Sequence, residues 1–174
     1  RDFAPRNLIL AFNHARVLWL FGQRDQATAL FDEIGDAGPS WTFDPRTDMP
    51  LSHRTRALAE IFCYGEYYPA VTQALVNGDE TFAAARTYIA AAVQTYLGLA
   101  ATFQEDRSAA VQRYQAAVEI AVDAFPAWIG LTQCRARTGA PPEAIVDAFL
   151  KSVTLYPPAL SELLPCGVAA LKAL

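Results

Sequence analysis

Two histidines, three cysteines and a few adjacent carboxylates are the groups in this chain best suited to chemistry, and their spacing limits what they can do. His14 and His53 stand far apart, and neither has a cysteine or carboxylate at metal-ligand spacing. His14 falls at a core-facing position of a helical pattern and reads as a packed or hydrogen-bonded residue. Cys63, Cys134 and Cys166 are scattered through apolar helical stretches, which supports neither a paired-cysteine metal site nor a disulfide framework and predicts buried, reduced thiols. Ser52, His53 and Arg54 open a helical pattern and offer N–H groups and a guanidinium to an anion, although a solvated helix start uses the same residues. The pairs Asp32 with Glu33, Asp79 with Glu80, and Glu105 with Asp106 fall at helix ends or exposed faces. Nothing apolar surrounds both members of a pair to separate their pKa values, as a general acid and base would need. There is no GxSxG, glycine-rich phosphate loop or HExxH. No catalytic, cofactor or metal-ligating residue is predicted.

The composition points the same way. The chain has 174 residues, 53% of them apolar, which is ample for a buried core and argues against disorder. A net charge of −4 without a dense Lys/Arg cluster excludes a general nucleic-acid footprint. Most basic residues are Arg and alanine is abundant, a bias associated with a GC-rich bacterial genome. Residues 82–103 are long and apolar enough to need a membrane check, but they are rich in alanine, which is near-neutral for insertion, and Arg86 is expensive there. A buried helix is expected, not a membrane span. The chain opens on Arg1 without a basic-then-apolar leader, which reads as a processed chain or a piece of a longer one in the cytoplasm.

The elements that carry these residues are helices in pairs. Leu97, Gly98, Ala110, Tyr114 and Ala117 have the spacing of two helices joined by a short turn: Gly98 lets the second helix come close, Ala110 offers a small surface opposite it, and Tyr114 and Ala117 continue that stripe. Trp128 and Leu131 continue the pattern 34 residues on from positions in the preceding copy, followed by Gly139, Phe149 and Pro157. These residues resemble the tetratricopeptide repeat, with its large, small, aromatic and terminating positions in order.

The resemblance implies an all-α fold: a right-handed helix-turn-helix solenoid of about four pairs, some degenerate, forming one domain over residues 1–174. The repeat-like units are residues 8–41, 51–84, 91–124 and 125–158, followed by a C-terminal helix over 159–174. In the first unit Leu10, His14, Val17, Leu18 and Phe21 are expected on one side of a helix that ends at Gly22. Asp25 then caps a second helix carrying Ala27, Phe31 and Ile34 and closed by Gly35. Ala15 takes the slot of Gly98, and Pro39 the terminating one. Residues 36–52, with Trp41 and Phe43, read as an insertion pinned onto the helices or as part of the binding surface. Gly65, Ala70 and Ala74 mark a degenerate second copy. Asp106 is the expected cap of the helix that reaches Val122. In the last copy, counting back from Pro157 puts Ile145, not Ala144, in the small-residue slot, so that turn is one residue longer. Pro165 sits awkwardly within the C-terminal helix.

A scaffold of this kind implies a non-catalytic protein–protein interaction role, with a peptide or partner domain in a concave groove and no cofactor. By the family's groove positions the lining is Phe12, Arg16 and Trp19, then Thr95, Leu99 and Thr102, then Ile129, Gln133 and Arg137. Members that clamp a peptide's terminal carboxylate use Lys and Asn at several of these positions. This chain does not, which implies an apolar or mixed ligand surface. The C-terminal helix leaves a face for a second copy or a neighbouring domain. The alternative is the helical-repeat portion of a larger bacterial enzyme, for example a glycosyltransferase, with catalysis elsewhere.

Overall fold

The computed structural model describes residues 8–37 and 81–174, and these are helical throughout apart from turns. Seven α-helices are described: α1 (Leu8–Leu20), α2 (Arg24–Ala37), α3 (Thr81–Phe103), α4 (Arg107–Ile120), α5 (Phe125–Thr138), α6 (Pro142–Leu155) and α7 (Leu160–Ala173), with a 3-10 turn at Pro157–Ala159. No strand occurs among the described residues. The expected insertion after α2, the degenerate copy with Gly65, Ala70 and Ala74, His53 and Cys63 lie outside them. The chain divides into two compact units, Arg1–Val93 and Gln94–Leu174, with the boundary inside α3.

In the first unit α1 packs on α2. Phe12 and Ala15 are buried on α1, and Ala27, Phe31 and Ile34 on α2. The Phe12 and Phe31 rings meet at 6.1 Å, tilted by 60°. The small-and-aromatic stripe of α2 is therefore where its spacing predicts, but the expected face of α1 is not. His14 is exposed, as are Val17 and Phe21, the latter at 79% of its surface. The physical reason is that α1 is apolar nearly all round, so its sequence sets no unique inward side. Close approach decides instead, at Ala15, where a small side chain allows it. Asp25 lies inside the first turn of α2, after Arg24, and α2 continues past Gly35 to Ala37.

In the second unit each helix from α4 onward packs on the next, and α5 also touches α7. The core is built from small residues against large ones. Ala110, Ala117, Ala127 and Ala148 are fully buried, as are Leu131 and Leu163, and Tyr114 is 1% exposed. Phe149, Ala159 and Leu163 form a cluster flanked by Ile129, Val153 and Tyr156. Tyr156 in turn stacks on Phe125 at 4.6 Å. Pro165 lies within α7, and the helix runs on past it.

The turns follow one rule. Gly22, Glu105 and Gly139 all have positive φ, at 77°, 61° and 68°. After each, the next N–H returns to a carbonyl five residues back: Gln23 to Leu18 at 2.9 Å, Asp106 to Ala101 at 3.0 Å, and Ala140 to Arg135 at 3.0 Å. This left-handed helix cap satisfies carbonyls that a helix end leaves unpaired. The next helix starts two residues after Gly22 and Glu105 but three after Gly139. The extra residue is the one expected from Pro157, and it makes Ile145 the buried residue while Ala144 is only half-buried. Asp106 caps α4 as its position predicts, its carboxylate accepting from the Ala109 N–H at 2.9 Å.

Candidate functional site

The atoms nearest to the space beside Gly98 belong to Tyr114, four residues after Ala110 on the same helix. A side chain on Gly98 would lie 2.7 Å from Tyr114 Cε1, and one on Gly130 would collide with the same ring. Tyr114 thus fills a notch between α3 and α5. Phe149 does the same against Gly167 of α7, where an added Cβ would be 2.8 Å from Phe149 Cε1. The slot 34 residues after Gly98 holds Thr132, and its hydroxyl lies 3.2 Å from that of Ser152, both fully buried. Each hydroxyl also donates to a carbonyl of its own helix, Thr132 to Trp128 at 2.9 Å and Ser152 to Ala148 at 2.8 Å, so neither is left unsatisfied.

The predicted groove residues fall into different environments. Phe12 is 3% exposed and packed on Phe31, so its ring belongs to the core of the first unit. Arg16 is half-buried with its guanidinium 5.7 Å from the Phe12 ring centre. Trp19 is half-buried with the Arg24 guanidinium 5.9 Å away. In the second unit Thr95 is buried, Leu99 half-buried and Arg137 exposed. Ile129 packs on the Phe149 cluster. The Gln133 amide donates to the Glu162 carboxylate, which joins α5 to α7.

Thr102 links three elements. Its hydroxyl donates to the Gly98 carbonyl at 2.8 Å and lies 3.4 Å from the Tyr114 hydroxyl and 3.8 Å from Cys134 Sγ. Burial pushes the Tyr114 phenol up to about 12. The Thr102 hydrogen bond and the charge of Arg137 pull the other way, and Cys134 adds to the rise. A phenol held neutral in this way is a donor, not a base.

Above this cluster a pocket of about 240 Å³ opens among Thr102, Glu105, Arg107, Ala110, Cys134 and Arg137. Its floor includes the buried Ala110 and Cys134, while Glu105, Arg107 and Arg137 are exposed. One Arg107 N–H reaches the Arg137 carbonyl at 3.5 Å, on the last turn of α5, where a helix end favours a cation. Of the six lining residues, only Thr102 and Arg137 stand at groove positions of the repeat pattern. For Glu105 the 34-residue register carries a signal, because it aligns Glu105 with Gly139 and so marks a side chain at a glycine's position.

Among the described residues no group of His, Cys, Asp and Glu is placed to hold a metal ion, and Cys134 and Cys166 are free thiols. No described helix is long and apolar enough to cross a membrane. No family model matches the chain, and neither a curated protein nor a solved structure is significantly similar to it.

Proposed function

We propose that the chain is a non-catalytic interaction module built as a tetratricopeptide-like right-handed solenoid, whose first helices line a groove for a peptide or a partner domain. The observation that carries the reading is the recurrence of one turn device 34 residues apart, at Glu105 and Gly139, each followed by the same five-residue return bond. The contact of α5 with α7 supports it, since both stand first in successive pairs. So do the Thr102–Cys134 and Gln133–Glu162 contacts, which join one first helix to the next. Ile129 and Gln133 are engaged in that stacking, so the accessible lining shifts to Leu99 and Arg137.

Selection of peptides from a random display library on the purified chain tests this reading. Peptides retained by the wild type should lose binding to Leu99→Asp, a change at a half-buried surface position that leaves the helical circular dichroism intact. Selection that yields no peptide above an unrelated helical control, or peptides indifferent to Leu99→Asp, would refute it.

A further inference from the structure

We infer that the outer face of α7 is a self-association surface, on which a second copy of this chain docks to form a two-fold symmetric dimer. α7 turns Leu163, Gly167 and Ala170 inward, where Leu163 and Gly167 meet Phe149. Leu160, Leu164, Val168 and Leu171 stand beside that seam and are 38% to 53% exposed. Leucines exposed singly need no explanation, but these follow one another at four, four and three residues and form a continuous strip along the helix.

The relief of this face suits its own copy. Leu160, Leu164 and Val168 form one ridge, and the row beside it is Ser161, Pro165, Ala169 and Ala173, all short and all exposed. Ridge and groove lie side by side on the same helix, so after a two-fold rotation each copy's ridge enters the other's groove. Rows of this four-residue spacing pack with the helices crossing at about −50°. Leu164 is the middle of the ridge, which sets it beside its own counterpart at the two-fold axis.

Charge and area agree with that occupant. Glu162 and Lys172 are the charged residues of α7, and the Glu162 carboxylate already accepts from Gln133 on α5. The helix is therefore neutral in a chain of net charge −4, and two copies meet there without like-charge repulsion. With Pro165, Ala169 and Ala173 the strip exposes on the order of 500 Å² of apolar surface, which matches the apolar share, about 60%, of the roughly 800 Å² that each partner buries in a stable interface.

Sedimentation equilibrium of the purified chain across the micromolar range tests the assignment. The wild type should form dimers in reversible exchange with monomers. Leu164→Glu and Leu164→Lys should each raise the dissociation constant by about a hundredfold or more, since both copies lose a buried leucine and face a like charge. Their helical circular dichroism should be unchanged, because Leu164 lies outside the inward seam. Mixed in equal amounts, the two variants should recover dimers, as opposite charges then meet at the axis. Ala169→Arg, which fills the groove, should weaken association as well. A wild type that stays monomeric would overturn the assignment and leave the strip to a different partner. Dimers indifferent to Leu164→Glu and Ala169→Arg, or a mixture no more associated than either variant alone, would overturn it too.

Discussion

Gly98 and Tyr114 fit as notch and filling: the ring occupies the space a Cβ on Gly98 would need, with 2.7 Å between that Cβ and Tyr114 Cε1. Gly130 closes the other side of the same ring. Substitutions there set two effects against each other. Alanine in place of a mid-helix glycine gains about 1 kcal/mol of helix propensity, whereas overpacking a tight core costs roughly 1 to 3 kcal/mol. Because the obstacle is a buried ring with little room to move, overpacking should win. Gly98→Leu and Gly130→Ala should lower the urea midpoint, and Gly130→Ala combined with Tyr114→Leu should recover part of the loss. Additive losses would mean the ring and the glycine do not share that space.

The Tyr114 phenol gives a pH signature. Its folded-state pKa, about 12, lies above the ordinary 10.0, chiefly through burial. A raised pKa means that the phenol's contribution is complete below pH 10 and lost as pH rises from there toward 12. The shift corresponds to roughly 2 to 3 kcal/mol. Unfolding free energy should fall more steeply over that range in the wild type than in Tyr114→Phe. Parallel pH profiles for the two proteins would exclude Tyr114 as the source.

The turns can be improved and spoiled in a predictable order. Glu105 holds a left-handed conformation that costs a non-glycine residue about 1 to 2 kcal/mol, so Glu105→Gly should raise the melting temperature. Gly139→Ala should lower it, and Asp106→Ala should cost about 0.5 to 2 kcal/mol through loss of the α4 cap. Thermal scans of the three variants check the signs.

Much of the second unit is legible in its sequence because its signals are local. Asp106 as a cap, Gly139 as a helix end, and Ala110, Tyr114 and Ala117 as a buried stripe each follow from chemistry within one or two turns of helix. The longer turn before α6 is legible because the spacing from Pro157 counts the extra residue. The inward face of α1 is not, because a helix apolar all round carries no directional signal, and the choice of Phe12 and Ala15 depends on α2. The role of the Tyr114 ring at Gly98 is not legible for a related reason. Spacing shows that a small residue is needed, but not that a ring lies between two helices. The arginine-lined pocket is legible only in part, since Arg107 and Arg137 are brought together by a tertiary contact thirty residues apart in sequence.

The central claim, that the first helices of successive pairs form the docking surface, is tested most directly by hydrogen exchange of the chain with and without a selected peptide. Amides and side chains on α3 and α5 near Leu99 and Arg137 should gain protection, and α4 and α6 should change little. Protection concentrated on α4 and α6, with none on α3 and α5, would contradict the account.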